Sequence, residues 1–90
     1  MGWEASIRVV DEDGQPRRGA KVTISFSDPG ILASIIGTIG SEYTDSDGWA
    51  HFEYESIDQS QMSVDKIWVD GDEVDSGGVL ESGDTRSYTV

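Results

Sequence analysis

Runs in which apolar and polar residues alternate predict short β-strands along this chain. The clearest run is 20–26, where Ala20, Val22, Ile24 and Phe26 alternate with polar residues. Turn sequences rich in Asp and Gly separate the runs. The pattern predicts about seven strands, at 3–9, 20–26, 42–44, 50–54, 62–69, 72–74 and 85–90.

About seven short strands without a long helical pattern favour an all-β fold, an antiparallel β-sandwich that forms one domain over residues 1–90. The fifth strand is the ambiguous one. Met62, Val64 and Trp68 share one face, whereas Ile67 and Val69 share the other. This pattern predicts either a β-bulge or a strand that is covered on both faces.

The charge of the chain restricts its partners. Eighteen acidic residues against six basic ones give a formal net charge of −12. Nucleic acid is excluded as a partner because phosphate binding needs clustered Lys and Arg. No apolar run approaches the ~18 residues of a membrane span, so we expect no membrane insertion. The dispersed acidic residues are typical either of a halophile protein surface or of an ordinary acidic domain.

The first residues contain neither a basic nor an apolar stretch, so we expect no signal peptide. The chain is then either cytoplasmic or a module of a longer secreted protein. Oligomeric state does not follow from the pattern, but a protein partner or a neighbouring domain is expected.

Three predicted turns rich in acidic residues form the first candidate site. If successive strands alternate in direction, the connections 11–19, 45–48 and 70–71 share one end of the sandwich. Ca²⁺ binds six to eight oxygen ligands from flexible acidic loops. Asp and Gly are also the ordinary residues of tight turns, and this interpretation is favoured over a Ca²⁺ site. If these turns do bind a cation, we expect a weak, salt-dependent site. The candidate ligands are Asp11, Asp13, Asp45, Asp47, Asp70 and Asp72.

An apolar connection over residues 29–40 forms the second candidate site. So apolar a segment in so acidic a chain needs a place to be buried. It either folds back as a lid on the sandwich, which the small core favours, or forms a docking patch for a partner. The docking candidates are Ile31, Leu32, Ile35, Ile36 and Ile39.

Trp49 and His51 form the third candidate site, because aromatic rings on an outer sheet face can stack on carbohydrate. Enzyme chemistry has little support in the sequence. His51 is the sole histidine, cysteine is absent, and no phosphate-binding or dinucleotide-binding motif is present. We therefore interpret the chain as non-enzymatic, without a cofactor other than a weakly bound Ca²⁺.

Three segments carry a family resemblance: Val9–Pro16, Gly19–Ile24 and Thr44–Phe52. Together they resemble the carboxypeptidase regulatory-like modules, which have the transthyretin-like (prealbumin-like) β-sandwich fold. Bacterial Ig-like repeats have a similar sequence pattern and are a near alternative. The resemblance implies an accessory module, a structural spacer or protein-interaction domain, often in extracytoplasmic proteins. It implies no catalytic residues, and residues 62–90 match only as generic strands.

These observations lead to one main hypothesis, one alternative and, ranked below both, a small hydrolase that uses acidic residues. The main hypothesis is a structural or protein-interaction module whose apolar segment 29–40 faces a partner. The alternative is a ligand-binding module, with Ca²⁺ at the acidic turns or carbohydrate at the aromatic face.

Overall fold

Two β-sheets pack face to face in the computed structural model, which describes residues 2–26, 39–55 and 60–90. The strands in these ranges are β1 (Trp3–Val10), β2 (Lys21–Phe26), β3 (Ile39–Tyr43), β4 (Trp49–Tyr54), β5 (Gln61–Val69), β6 (Asp72–Ser76), β7 (Val79–Glu81) and β8 (Asp84–Thr89). Sheet A has the order β4-β1-β8, and sheet B has the order β3-β2-β5-β6 with β7 also paired to β5. The predicted β-sandwich is confirmed.

The pairing differs from the prediction at one strand. β8 pairs with β1 in parallel, whereas every other strand pair in the described residues is antiparallel. The parallel pair arises because the chain leaves β7 in sheet B and crosses to the edge of sheet A.

β6 and β7 act as one interrupted strand, because they pair with successive halves of β5. Gly77 and Gly78 separate them, with φ angles of 74° and 104° that residues with a Cβ rarely adopt. The sequence pattern placed 79–81 in a connection. That assignment was wrong, because three residues are too few to show an alternation.

The bulge predicted in the fifth strand is present. Ser25 pairs with Lys66, but the next residue of β2 pairs with Val64, so Asp65 is an extra residue in β5. The extra residue shifts the alternation and turns Ile67 and Val69 inward, like the first half of the strand. Grouping Trp68 with Met62 and Val64 was therefore wrong, since Trp68 is half-buried on the outer face.

The core lies between the inner faces of the two sheets. Sheet A contributes alternate residues of β1 and β4, and sheet B contributes alternate residues of β2 and β5 together with Leu80. Burial of each large apolar side chain stabilises the fold by about 1.5–3 kcal/mol. The Trp3 indole N–H also donates to the Leu80 carbonyl at 3.1 Å and so joins the sheets. No helix in the described ranges is long and apolar enough to cross a membrane.

Candidate functional site

The acidic turns lie at one end of the sandwich, as predicted from strand alternation. Val9 accepts from the amide of Arg17 and donates to the carbonyl of Gly48, which joins the first turn to the second. The third turn adjoins β2, because the Asp70 amide donates to the Lys21 carbonyl at 2.8 Å.

The carboxylates of these turns already bind main-chain amides. Asp11 and Asp45 each accept from the N–H groups two and four residues further along, at 2.9–3.0 Å. Asp70 accepts from the Lys21 amide at 3.0 Å. The Trp49 amide in particular holds the pKa of Asp45 below its ordinary value.

The other three candidate ligands, Asp13, Asp47 and Asp72, are exposed. Within the described residues, no group of three or more His, Asp or Glu side chains is placed to hold a metal ion. The Ca²⁺ site stays a prediction.

The aromatic face lies on the outside of sheet A. Trp49 and His51 have near-parallel rings, with centroids 6.5 Å apart and planes at 15°. The Arg8 guanidinium carbon lies 6.0 Å from the centre of the Trp49 ring. This face therefore combines an aromatic pair with a cation.

His51 of the aromatic pair also lies between two polar side chains, those of Ser6 and Asp45. His51 Nδ1 lies 2.9 Å from Ser6 Oγ, and its Nε2 lies 3.8 Å from Asp45 Oδ2. The sequence pattern did not reveal Ser6, because it is separated from His51 by 45 residues and meets it only through the β1–β4 register. Ser6 lies on β1, which pairs with β4 on one side and with β8 on the other.

The predicted docking residues fall mostly outside the described ranges. Ile31, Leu32, Ile35 and Ile36 belong to the undescribed segment 27–38. Ile39 is described and begins β3 rather than ending a loop. Strand β3 runs over 39–43 and not over the predicted 42–44. Thr44 lies just beyond its end and is buried, and its hydroxyl accepts from the Ala20 amide and donates to the Arg17 carbonyl.

Strand β3 carries the most exposed apolar side chains of the described residues. Ile39 is 53% exposed and Tyr43 is 66% exposed. Both point to the outer face of sheet B, as does Ser41 between them, whose hydroxyl lies 3.0 Å from that of Thr23. Tyr43 was not singled out from the sequence, although an aromatic residue next to a turn is a usable signal.

The main chain of β3 also points outward at alternate residues. Both main-chain groups of Lys21 bond Asp70 on the β5 side of β2. Its register partner Tyr43 therefore directs its own N–H and C=O away from β2, and alternation gives Ser41 the same direction. β3 lies at the end of sheet B, and these groups have no main-chain partner within the described residues.

The other side of the sandwich is closed by a three-residue cluster that the sequence pattern did not reveal. Asp75 on β6 accepts from Tyr88 at 2.6 Å and from Arg86 at 3.2 Å, both on β8. The Tyr88 hydroxyl, more than any other group, lowers the pKa of Asp75, while burial and then Asp75 raise the pKa of Tyr88 to about 12. These bonds tie the edge of sheet B to the edge of sheet A.

Comparison with known proteins supports the fold. No protein-family model and no curated protein sequence matches the chain. Among solved structures, an intradiol ring-cleavage dioxygenase from Tetranychus urticae is similar, with TM-score 0.54 and 16% identity over 90% of this chain. The present chain spans only 50% of that dioxygenase.

Two further structures match along almost the whole chain. The dioxygenase domain of a dioxygenase carbohydrate-binding protein fusion from Streptomyces sp. SirexAA-E has TM-score 0.56 and 13% identity, covering 99% of this chain and 79% of that one. The C-terminal domain of the shaft pilin SpaA from Lactobacillus rhamnosus GG has TM-score 0.55 and 11% identity, covering 99% and 96%.

These likenesses correct one interpretation. The exclusion of enzymes was wrong, because the fold of this chain also occurs in chains named as dioxygenases. At 11–16% identity the likeness shows the shared fold and not a shared activity. The resemblance to transthyretin-like and Ig-like modules is thus supported as a β-sandwich, and the family stays a prediction.

Proposed function

We propose that this chain is a protein-interaction module that binds an extended segment of a partner along the outer edge of β3. In this mode of recognition the partner adds a strand to an open sheet edge. Main-chain hydrogen bonds supply affinity, and alternate side chains supply specificity. The observation that carries the proposal is the outward direction of the main chain at Ser41 and Tyr43, next to two exposed apolar side chains.

The two lysines of the chain lie on the same face of sheet B as the exposed apolar side chains of β3. Lys21 is the register neighbour of Tyr43 on β2. Lys66 lies further along the same outer face, where Glu73 pairs with it at 3.5 Å. Both lysines of a chain with net charge −12 are therefore on the outer face of sheet B. Lys21 adjoins Asp70 and Lys66 pairs with Glu73, so the two lysines offset part of the negative charge on this face.

A matched pair of variants tests the proposal. Ser41→Pro removes the outward N–H and fills its place with a ring, whereas Ser41→Ala removes only the hydroxyl. Proline is tolerated on edge strands where the N–H faces away from the neighbouring strand. The probe is a set of peptides selected on the unmodified protein from a random linear library.

The selected peptides are expected to bind the Ser41→Ala variant as they bind the unmodified protein. They should bind Ser41→Pro at least about tenfold more weakly, the equivalent of ~1.4 kcal/mol for one lost hydrogen bond and a clash. Equal binding to both variants would refute the proposal. If Ser41→Pro does not fold, protection of the Ser41 and Tyr43 amides by bound peptide decides instead.

A second candidate function is carbohydrate binding on the outer face of sheet A. The observation that favours it is the near-parallel Trp49 and His51 pair with Arg8 beside it. Trp49→Ala should abolish retention on a glycan array, with Val79→Ala on the other sheet as the control. Unchanged retention of the Trp49→Ala variant, or no retention of the unmodified protein, would remove this candidate.

A further inference from the structure

We infer that the strand that adds to β3 is β3 of a second copy of this chain. This inference rests on the proposed function and names its partner. Two copies of β3 can pair antiparallel about a two-fold axis at Ser41, so that each Ser41 faces its counterpart. Ile39 then faces Tyr43 of the second copy, and Gly40 faces Glu42 of the second copy.

The main chain suits this register. The main-chain N–H and C=O groups that point away from β2 belong to alternate residues of β3, namely Ile39, Ser41 and Tyr43. Pairing about Ser41 brings each of the three opposite another member of the same set. Every such pair is then of the hydrogen-bonded kind, as a continuous antiparallel ladder requires.

The side chains suit the same register. Each exposed Ile39 gains an aromatic neighbour, and aromatic with β-branched residues are favourable cross-strand pairs. Glu42 meets a glycine rather than another acid. An axis at Glu42 would instead oppose two carboxylates and would use main-chain groups that already bond β2.

The overall charge of the chain predicts a salt dependence. Two chains with a net charge of −12 each repel one another. Lys21, the register neighbour of Tyr43 on β2, offsets only part of that charge near the interface. The Debye length falls from about 10 Å at about 0.1 M salt to about 3 Å at about 1 M. Added NaCl should therefore strengthen the dimer rather than weaken it.

The absence of cysteine from the chain allows a direct test of the register. Ser41→Cys introduces a single thiol that faces its counterpart, at the Cα separation of about 5.5 Å found in hydrogen-bonded pairs. This separation lies within the range of about 4.4–6.8 Å that disulfides span. Gln15→Cys, in the exposed first turn, is the matched control.

Under mild oxidation, the Ser41→Cys variant should form covalent dimers about tenfold faster than Gln15→Cys, because pairing raises the local thiol concentration. The unmodified protein should sediment as a dimer at millimolar concentration in about 1 M NaCl and dissociate on dilution. Ser41→Pro should remain a monomer.

Equal crosslinking rates together with a monomer at all concentrations and salts would overturn the inference. The peptide experiment above is done with dilute protein, because a peptide and a second copy would compete for the same edge of β3. A chain that stays monomeric yet loses peptide binding on Ser41→Pro would refute the second copy as partner and leave the edge of β3 as the docking site.

Discussion

Gly40 is the residue on β3 whose replacement most directly tests the packing beneath the proposed edge. A Cβ at this position would lie 2.1 Å from the Tyr54 hydroxyl oxygen and 3.3 Å from the ring carbon that bears it. The φ angle of Gly40 is not positive, so the cost of Gly40→Ala comes from lack of space alone. Tyr54 must move to admit the methyl group.

The contacts of Tyr54 set the size of the effect. Its ring stacks on Trp3 at 5.9 Å and meets Phe26 edge-on at 6.1 Å. Each aromatic contact contributes about 0.5–1.5 kcal/mol. Alanine offsets about 0.5–1 kcal/mol of this loss, because an unfolded chain with alanine has less conformational freedom to lose on folding than one with glycine. Gly40→Ala should therefore lower the free energy of unfolding by about 1–2 kcal/mol, which is on the order of 5–10 °C in melting temperature.

A double-mutant cycle with Tyr54→Phe isolates the cause. Without the hydroxyl, the nearest atom to the new Cβ is the ring carbon at 3.3 Å, which needs a shift of only a few tenths of an ångström. The cost of Gly40→Ala should then fall below about 0.5 kcal/mol in urea unfolding followed by tryptophan fluorescence. The same cost in both backgrounds, or no cost in either, would refute the placement of Tyr54 over β3.

Three further predictions follow from the turns and the titrating groups. Asp45→Ala should lower the melting temperature clearly more than Asp45→Asn, which keeps an oxygen acceptor for the turn amides; equal losses would show that this oxygen does not matter. Tyr88→Phe should cost about 1 kcal/mol at neutral pH, and less as acid protonates Asp75 below its ordinary pKa of 3.8, since that carboxylate accepts the bond; a cost that does not change with pH contradicts this. Folding raises the pKa of Tyr54 from 10.0 to about 12, so above pH 10 the Tyr54 hydroxyl loses its proton first in the unfolded chain, and the free energy of unfolding falls as the pH rises. In urea unfolding, Tyr54→Phe should make this decrease with pH less steep. An unchanged pH dependence would refute the raised pKa of Tyr54.

The sandwich could be predicted because its strands are long enough to alternate. β1, β2 and β4 show a strict period of two, which follows from one buried and one exposed sheet face. β7 is too short to show any period. The bulge at Asp65 was visible as a shift in the alternation of β5, but the face that Trp68 occupies depends on where the extra residue falls.

The candidate sites were harder to predict because they depend on register. The acidic turns could be placed at one end from strand direction alone. The contact between Ser6 and His51, the cluster around Asp75, and the outward main chain of Ser41 are consequences of which strands pair. None of these is a property of a local sequence window.

Amide hydrogen exchange of β3 in dilute, low-salt protein tests most directly whether its edge is open. The amides of Gly40 and Glu42 face β2 and should be protected, whereas those of Ser41 and Tyr43 should exchange much faster. Raising the protein concentration and the salt should then protect Ser41 and Tyr43 as well. Equal protection of all four amides in the dilute monomer would mean that this edge is already covered, and would contradict the account.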